Sequence, residues 1–331
     1  MSIPDNVKLA LELYLEEIEK SRSEGTARTY RYVVGKFEQT LIDHKLPPRN
    51  TPLSQLDHEW LHWFLDDVRH LAATTERGYL APIIGFFEYV VAKKWLTLNL
   101  TELRYFIKRR QRKLTKRVQQ FPHQQIGNLL KFLDQQANGP FEFERDKLAT
   151  LRDRALFYLL ADSGLRISEA CSRRRGHVDW DEGLLFVVGK GDKEALVRLS
   201  DRTMNRLKRY LEARQALDGA QGLKHLMTLP LFARHDKAAS DQILSISPRA
   251  VQQNLEAWLK QLFGEKELYE ISPHTFRHYF VTTVLRKTGG DIEIAKRLAR
   301  HADISTTMRY AHLSDEELNK VYEDIFNTGR E

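Results

Sequence analysis

The sequence predicts a mainly α-helical protein of the α+β class, with two domains and a small β-hairpin in the second. Three observations carry this expectation. Apolar residues recur at helical spacing through most of the 331 residues. Two short β-branched runs, LLFVV and ALVRLS, flank GKGDKE, whose glycines allow the turn of a hairpin. A sharp composition shift, RYFIKRRQRKLTKR at 104–117, divides the chain. The expected organisation is a helical domain at 1–103, a basic linker at 104–118 and a second domain at 119–331.

The first domain reads as all-helical from about residue 6. Its opening helix puts Val7, Leu11, Tyr14, Leu15 and Ile18 on one face and its acids on the other. A second helix at 23–41 carries Thr26, Arg28, Thr29 and Arg31 near its start, with Tyr30, Val33, Val34 and Phe37 facing inward. PPRNTP is a loop, and helices follow at 57–70 and 74–93, the latter requiring a kink or break at Pro82.

Eight of the fourteen residues at 104–117 are basic and none is acidic, so the stretch is expected to repel itself and stay extended until a polyanion neutralises it. Lys108, Arg109, Arg110, Arg112, Lys113, Lys116 and Arg117 are therefore candidate phosphate contacts, with Arg28 and Arg31 from the first domain. The net charge of +7 also favours a polyanion, nucleic acid or an anionic membrane surface on charge alone. The single Cys171 excludes an internal disulfide and a cysteine-based zinc site. No signal peptide opens the sequence and no apolar run reaches the length of a membrane span, so a cytoplasmic, reducing setting without membrane contact is expected.

In the second domain, helices are expected at 123–136 and 150–163, and GLRISEA begins another. There Glu169 lies one turn from Arg166 and can orient its guanidinium. The hairpin follows, with Lys190 at the start of its turn and Lys193 as the alternative, then helices at 204–213 and 248–263. Residues 271–314 concentrate the chemistry. Ser272 and Pro273 start a helix that puts His274, Arg277 and His278 on neighbouring turns, its positive end towards any anion. After Gly289 and Gly290, a helix at 291–299 sets Ile292, Ala295, Leu298 and Ala299 on one face and stops near His301. A short helix at 306–312 carries Tyr310, and the last helix, 314–326, bears an apolar stripe of Leu318, Val321, Tyr322, Ile325 and Phe326.

A phenol attacks poorly at neutral pH unless a base takes its proton or cations stabilise the phenolate. Arginine offers a planar fork for two phosphate oxygens, which lysine does not. Taken singly, a His-x-x-x-His pair on a helix is ordinary surface polarity and a lone tyrosine is packing; the ordered set is not. No carboxylate cluster has the spacing of a two-metal site, so fixed cations and proton donors without metal or cofactor are the expected means of catalysis.

HTFRH, then ARHADISTTMRYAH with nine residues from His301 to Tyr310, resembles the carboxy-terminal signature of the tyrosine recombinase (phage integrase) family, Xer recombinases included. GLRISEA and VVGKGDKEA are similar to the family's upstream arginine and hairpin-lysine motifs. The resemblance covers about 119–315 closely and the helical domain more loosely, and it implies a two-domain clamp on double-stranded DNA. It implies that Tyr310 attacks the scissile phosphate to form a 3′-phosphotyrosine while Arg166 and Arg277 hold the non-bridging oxygens. His274 would take the tyrosine proton, Lys190 would protonate the leaving 5′-oxygen, and His301 would hydrogen-bond the phosphate; Glu169 and His278 would support them. It further implies a synaptic tetramer joined through the last helix, with an accessory protein as a further partner. A type IB topoisomerase-like enzyme shares this chemistry, and a non-catalytic DNA-binding protein could share the fold. One position departs: Arg300 stands where the family usually has glycine, in the turn leading into His301.

Overall fold

The computed structural model describes residues 3–110, 112, 123–189, 194–219, 222–236, 242–264 and 271–301. Two compact units divide the chain at Met1–Gln119 and Gln120–Glu331, each with its own core.

In the first unit, helices α1 (Val7–Ser21) and α2 (Glu24–Asp43) start at Asn6 and Ser23, whose side chains accept from backbone N–H groups one turn on. α3 (Glu59–Val68) and α4 (Ala73–Ala92) complete the bundle. Its core includes Val7, Leu11, Tyr14, Val33, Val34, Phe37, Phe64 and Phe86, with Leu15 and Tyr30 packed at the margin. Pro82 does not break α4. Its carbonyl instead accepts the Tyr14 hydroxyl at 2.9 Å, tying α1 to α4 where the proline removes an N–H.

The basic stretch is not extended at its start. Residues 104–110 belong to α5 (Leu100–Arg110), with Leu103 and Ile107 buried in the first core. The charge is neutralised from other helices. Arg104 pairs with Glu88, Arg110 bridges both oxygens of Asp66, and Arg112 Nε donates to buried Glu76 at 2.7 Å. Counting charge within the stretch alone overestimated its self-repulsion, because these acids come from α3 and α4.

The second unit opens with α6 (His123–Gln136) and α7 (Glu144–Ser163), then the short α8 (Ile167–Cys171). Strands β1 (Val178–Asp179), β2 (Leu184–Val188) and β3 (Glu194–Arg198) form an antiparallel sheet in that order, pairing Leu185 with both Val178 and Val197. The hairpin forms as expected, and β1 adds a third strand that is too short to show in the residue pattern. α9 (Asp201–Ala213), α10 (Gln215–Asp218), α11 (Leu223–Thr228) and α12 (Pro248–Phe263) follow. α13 (Pro273–Lys287) and α14 (Ile292–Ala299) end the described part.

α13 lies against α7, where Phe157 and Phe276 stack with ring centroids 5.3 Å apart. On α14, Ala295 and Ala299 are buried and Ile292 packs beside them, but Leu298 is 51% exposed, so the expected four-residue face is really three. The eight-residue helix turns Leu298 and Ile294 away from the narrow cluster that receives Ala295 and Ala299.

Gly164 ends α7 at φ +61, and a Cβ there would come within 2.5 Å of the Phe280 ring. Both the backbone and the space exclude a side chain. Gly164→Ala is therefore expected to lower unfolding free energy by roughly 2–4 kcal/mol, combining left-handed strain with overpacking. Urea denaturation checks this; an unchanged midpoint would contradict it.

Candidate active site

Arg166 occupies the N-cap of α8, and its own neighbour one turn on closes the end of the helix. Glu169 accepts the Arg166 backbone N–H on Oε2 and Arg166 Nη1 on Oε1, both at 2.9 Å. The Arg166 side chain is 47% exposed while that of Glu169 is 6% exposed, so the carboxylate acts as a buried seat for a guanidinium that faces solvent. Burial by itself would raise the Glu169 pKa, but the Arg166 N–H, the Arg300 guanidinium and that of Arg166 outweigh it and hold it below the usual range. Arg173 joins this helix to the sheet, with Nε on the Glu169 carbonyl and Nη1 on that of Phe186.

α13 delivers the second arginine. Pro273 takes the first helical position and Thr275 Oγ1 accepts the Ser272 N–H at 3.0 Å, fixing the helix start. One turn in, Arg277 is 3% exposed. Its Nη1 donates to the Gly164 carbonyl at 2.5 Å, its Nη2 to the Ala299 carbonyl, and its Nε to His301 Nε2 at 3.2 Å. One guanidinium thus ties the loop before Arg166 to the end of α14. The bond to Gly164 spans 113 positions of sequence, and those to Ala299 and His301 span 22 and 24.

The histidines gather around it. His274 and His278 meet edge to face with centroids 4.7 Å apart. Burial, and then the charge of neighbouring groups including Arg277, lower the pKa of His278 and His301 to about 4 each. His274 is shifted down by partial burial, then by Arg277 and Arg166, although its side chain still reaches solvent. All three are neutral at pH 7. Because His301 Nε2 accepts from Arg277, its ring proton sits on Nδ1. Arg300 takes a left-handed backbone, φ +56, so the turn survives without glycine.

Arg166, Glu169, His274, Arg277, His278 and His301 are thus brought together. Lys190, with its alternative Lys193, and Tyr310 lie outside the described residues, as do Lys113, Lys116, Arg117 and the expected helices at 306–312 and 314–326. The paired strands β2 and β3 end at Val188 and begin at Glu194, and Arg173 ties β2 to the Glu169 carbonyl. In the first unit, Arg28 pairs with Glu24 and Arg31 with Glu19, both on exposed surface, whereas Lys108 and Arg109 lie on the exposed face of α5. Arg300 is the residue whose contact the sequence did not reveal. Its Nη2 donates to Glu169 Oε2 at 3.0 Å across a separation of 131 positions, which no local pattern encodes. Among the described residues, no group of three or more His, Cys, Asp or Glu could hold a metal ion, and no helix is long and apolar enough to cross a membrane.

The fold and site define a tyrosine recombinase catalytic domain. Residues 119–317, more than half of the chain, match the phage integrase family, and the chain belongs to that family. It is 38% identical over 174 residues to the tyrosine recombinase XerD of Lacticaseibacillus casei, covering 52% of this chain and 54% of that protein. With the tyrosine recombinase XerC of Anoxybacillus flavithermus it shares 26% over 325 residues, 96% of this chain and 97% of that one. Its fold is similar to that of the XerH site-specific recombinase in a post-cleavage complex with palindromic difH substrate, with TM-score 0.66, 19% identity, and coverage of 95% of this chain and 83% of that one.

The histidine shifts predict a pH dependence. Free imidazole titrates near 6.5 and His278 near 4, so between those values the unfolded chain binds protons that the folded chain refuses. Stability is full above about pH 6.5 and falls as pH drops towards 4. His278→Asn should flatten that fall relative to the unsubstituted protein in thermal melts; parallel curves would contradict the assignment.

Proposed function

We propose that the chain is a site-specific DNA recombinase that cleaves and rejoins strands through a 3′-phosphotyrosine on Tyr310, without metal or ATP. The observation that carries this reading is the gathering of Arg166, His274, Arg277 and His301 from the start of α8, α13 and the end of α14, with the Arg277 guanidinium bonded to His301 and to the Gly164 carbonyl two residues before Arg166. Such an arrangement suits a phosphodiester, whose transition state accumulates charge on oxygens that fixed donors can meet, each worth about 3 kcal/mol.

In this reading the exposed Arg166 guanidinium binds the scissile phosphate, and Arg277 supports it while bordering the same anion. The first turn of α13 adds the helix's positive end. His274, neutral and reaching solvent, accepts the Tyr310 proton as the phenolate attacks phosphorus in line. His301 turns its Nδ1 proton to a non-bridging oxygen. Lys190 protonates the departing 5′-oxygen, and religation reverses these steps with the 5′-hydroxyl of a partner strand. Because the phosphotyrosine conserves the phosphodiester bond, no energy source is consumed.

The substrate is double-stranded DNA, gripped by the second unit with the helical first unit as the other half of a clamp. Lys108 and Arg109, exposed on α5, and the basic residues Lys113, Lys116 and Arg117 after it are suited to phosphates. Arg110 and Arg112, held by Asp66 and Glu76, are less available for that role. Recombination needs two sites and four protomers, and the stripe Leu318, Val321, Tyr322, Ile325 and Phe326 suits packing on a neighbouring subunit, with an accessory protein as a further partner.

The test is to incubate the protein with nicked suicide duplexes from its own genomic flanks, without metal or ATP. A DNA-linked band on a denaturing gel, lost in Tyr310→Phe, is the expected result. Paired sites should yield exchanged strands in native gels. A band that persists in Tyr310→Phe, or no band on a duplex the protein binds, would overturn the reading. Relaxation of supercoils without strand exchange would turn it towards a topoisomerase.

A further inference from the structure

Arg300 carries two costs in one residue. Its backbone is left-handed, φ +56, a conformation that side chains disfavour, and its Nε is buried without a hydrogen-bond partner among the described residues. Neither feature stabilises the fold, and an outlier retained at the edge of a candidate active site points to a role in that site. The remaining contact shows what the role is. Nη2 lies 3.0 Å from Glu169 Oε2, the oxygen that also receives the Arg166 N–H, while Glu169 Oε1 holds Arg166 Nη1.

We propose that Arg300 is a positioning residue for strand cleavage, clamping Glu169 so that Arg166 is held at the scissile phosphate while its left-handed turn delivers His301 onto Arg277. The inference rests on the recombinase reading above. Arg166 is 47% exposed and has water as an alternative partner, so its orientation depends on how firmly the carboxylate beneath it is fixed. Among the described residues, the Glu169 carboxylate is held from the α8 side by the Arg166 N–H and guanidinium. Arg300 fixes it from the opposite side, from the end of α14. The same residue precedes His301, whose N–H donates to the Lys296 carbonyl at 3.0 Å and whose ring accepts from Arg277. Arg300, 131 positions beyond Glu169, therefore links the placement of the exposed Arg166 at the start of α8 to that of the buried His301. It also adds positive charge beside the phosphate without touching it.

The experiment is a double-mutant cycle on the full-length protein with Arg300→Gly and Glu169→Gln, alone and together. Arg300→Lys serves as the conservative variant. Glycine accepts the left-handed backbone, so the first variant removes the side chain while leaving the turn open. Three quantities are read: single-turnover formation of the DNA-linked band, affinity for the same duplex by mobility shift, and melting temperature without DNA. Arg300→Gly should slow band formation about 10-fold or more while affinity changes less than about 2-fold, and Arg300→Lys should recover part of the loss. In the Glu169→Gln background, Arg300→Gly should add less than about 2-fold, because residues acting through one contact are not additive. Cleavage by Arg300→Gly at the unsubstituted rate would overturn the proposal, as would a loss undiminished in the Glu169→Gln background, which would mean that Arg300 meets DNA directly. A melting temperature lowered in step with the rate, with no recovery in Arg300→Lys, would reduce its role to folding and also overturn it. If the unsubstituted protein forms no band at all, the recombinase reading itself fails and this inference falls with it; a band unaffected by Arg300→Gly defeats the inference alone.

Discussion

The site depends on one buried cation. A guanidinium at 3% exposure is costly to desolvate unless its donors are met, and Arg277 meets them with the Gly164 carbonyl, the Ala299 carbonyl and His301. The acceptors come from two distant stretches, Gly164 on one side and Ala299 with His301 on the other, so satisfying the charge and assembling the site are the same event. The geometry works only because α13 lies against α7 through the Phe157–Phe276 stack, and because Gly164 lets Phe280 approach where a Cβ would collide. Arg166 follows two residues after that glycine. The carbonyl that Arg277 holds thus lies in the segment leading into Arg166, whose guanidinium is seated on Glu169.

The same logic recurs away from the site. Arg152 and Asp153 are both buried on α7, where Asp153 also receives Trp258 Nε1 and Asn254 from α12, and Arg152 reaches the Ala233 carbonyl. Arg214, fully buried, is held by Asp218 and by the Pro230 and Leu231 carbonyls. In each case arginine donors satisfy carbonyls of irregular chain that no helix or strand would satisfy. The second unit thus uses buried arginine as cross-linking, and at Arg277 that cross-link coincides with the candidate chemistry.

Much of this was legible in the sequence. Helices at 123–136 and 248–263 were bounded correctly, because a capping Ser247 with Pro248 and clear apolar periods mark them. The hairpin followed from β-branched runs around glycines, and the motifs around Arg166, Arg277 and His301 named residues that the fold does bring together. The misses share a physical cause. α7 begins at Glu144, not near 150, since its first turn is exposed and charged and the rest, buried on nearly every side with Arg152, Asp153 and Arg154 included, has no amphipathic period to announce it. The basic stretch was misjudged because Glu88, Asp66 and Glu76 neutralise it from distant positions. Leu298 looked inward by spacing but α14 buries too narrow a face to include it. Periodicity and local charge report what a segment does alone, and these features are set by what it meets.

The most direct test of this account is Arg277→Lys. Lysine keeps the positive charge, but one ammonium cannot reach the Gly164 carbonyl, the Ala299 carbonyl and His301 together. The measurement is single-turnover strand cleavage beside affinity for the same DNA. If one planar guanidinium aligns the site, cleavage should fall about 100-fold or more while affinity stays within a few-fold, since misplacement of about 1 Å is enough for such a loss. Cleavage by Arg277→Lys near the unsubstituted rate would show that the site needs only a charge at this position, and the account of a guanidinium-built centre would be wrong.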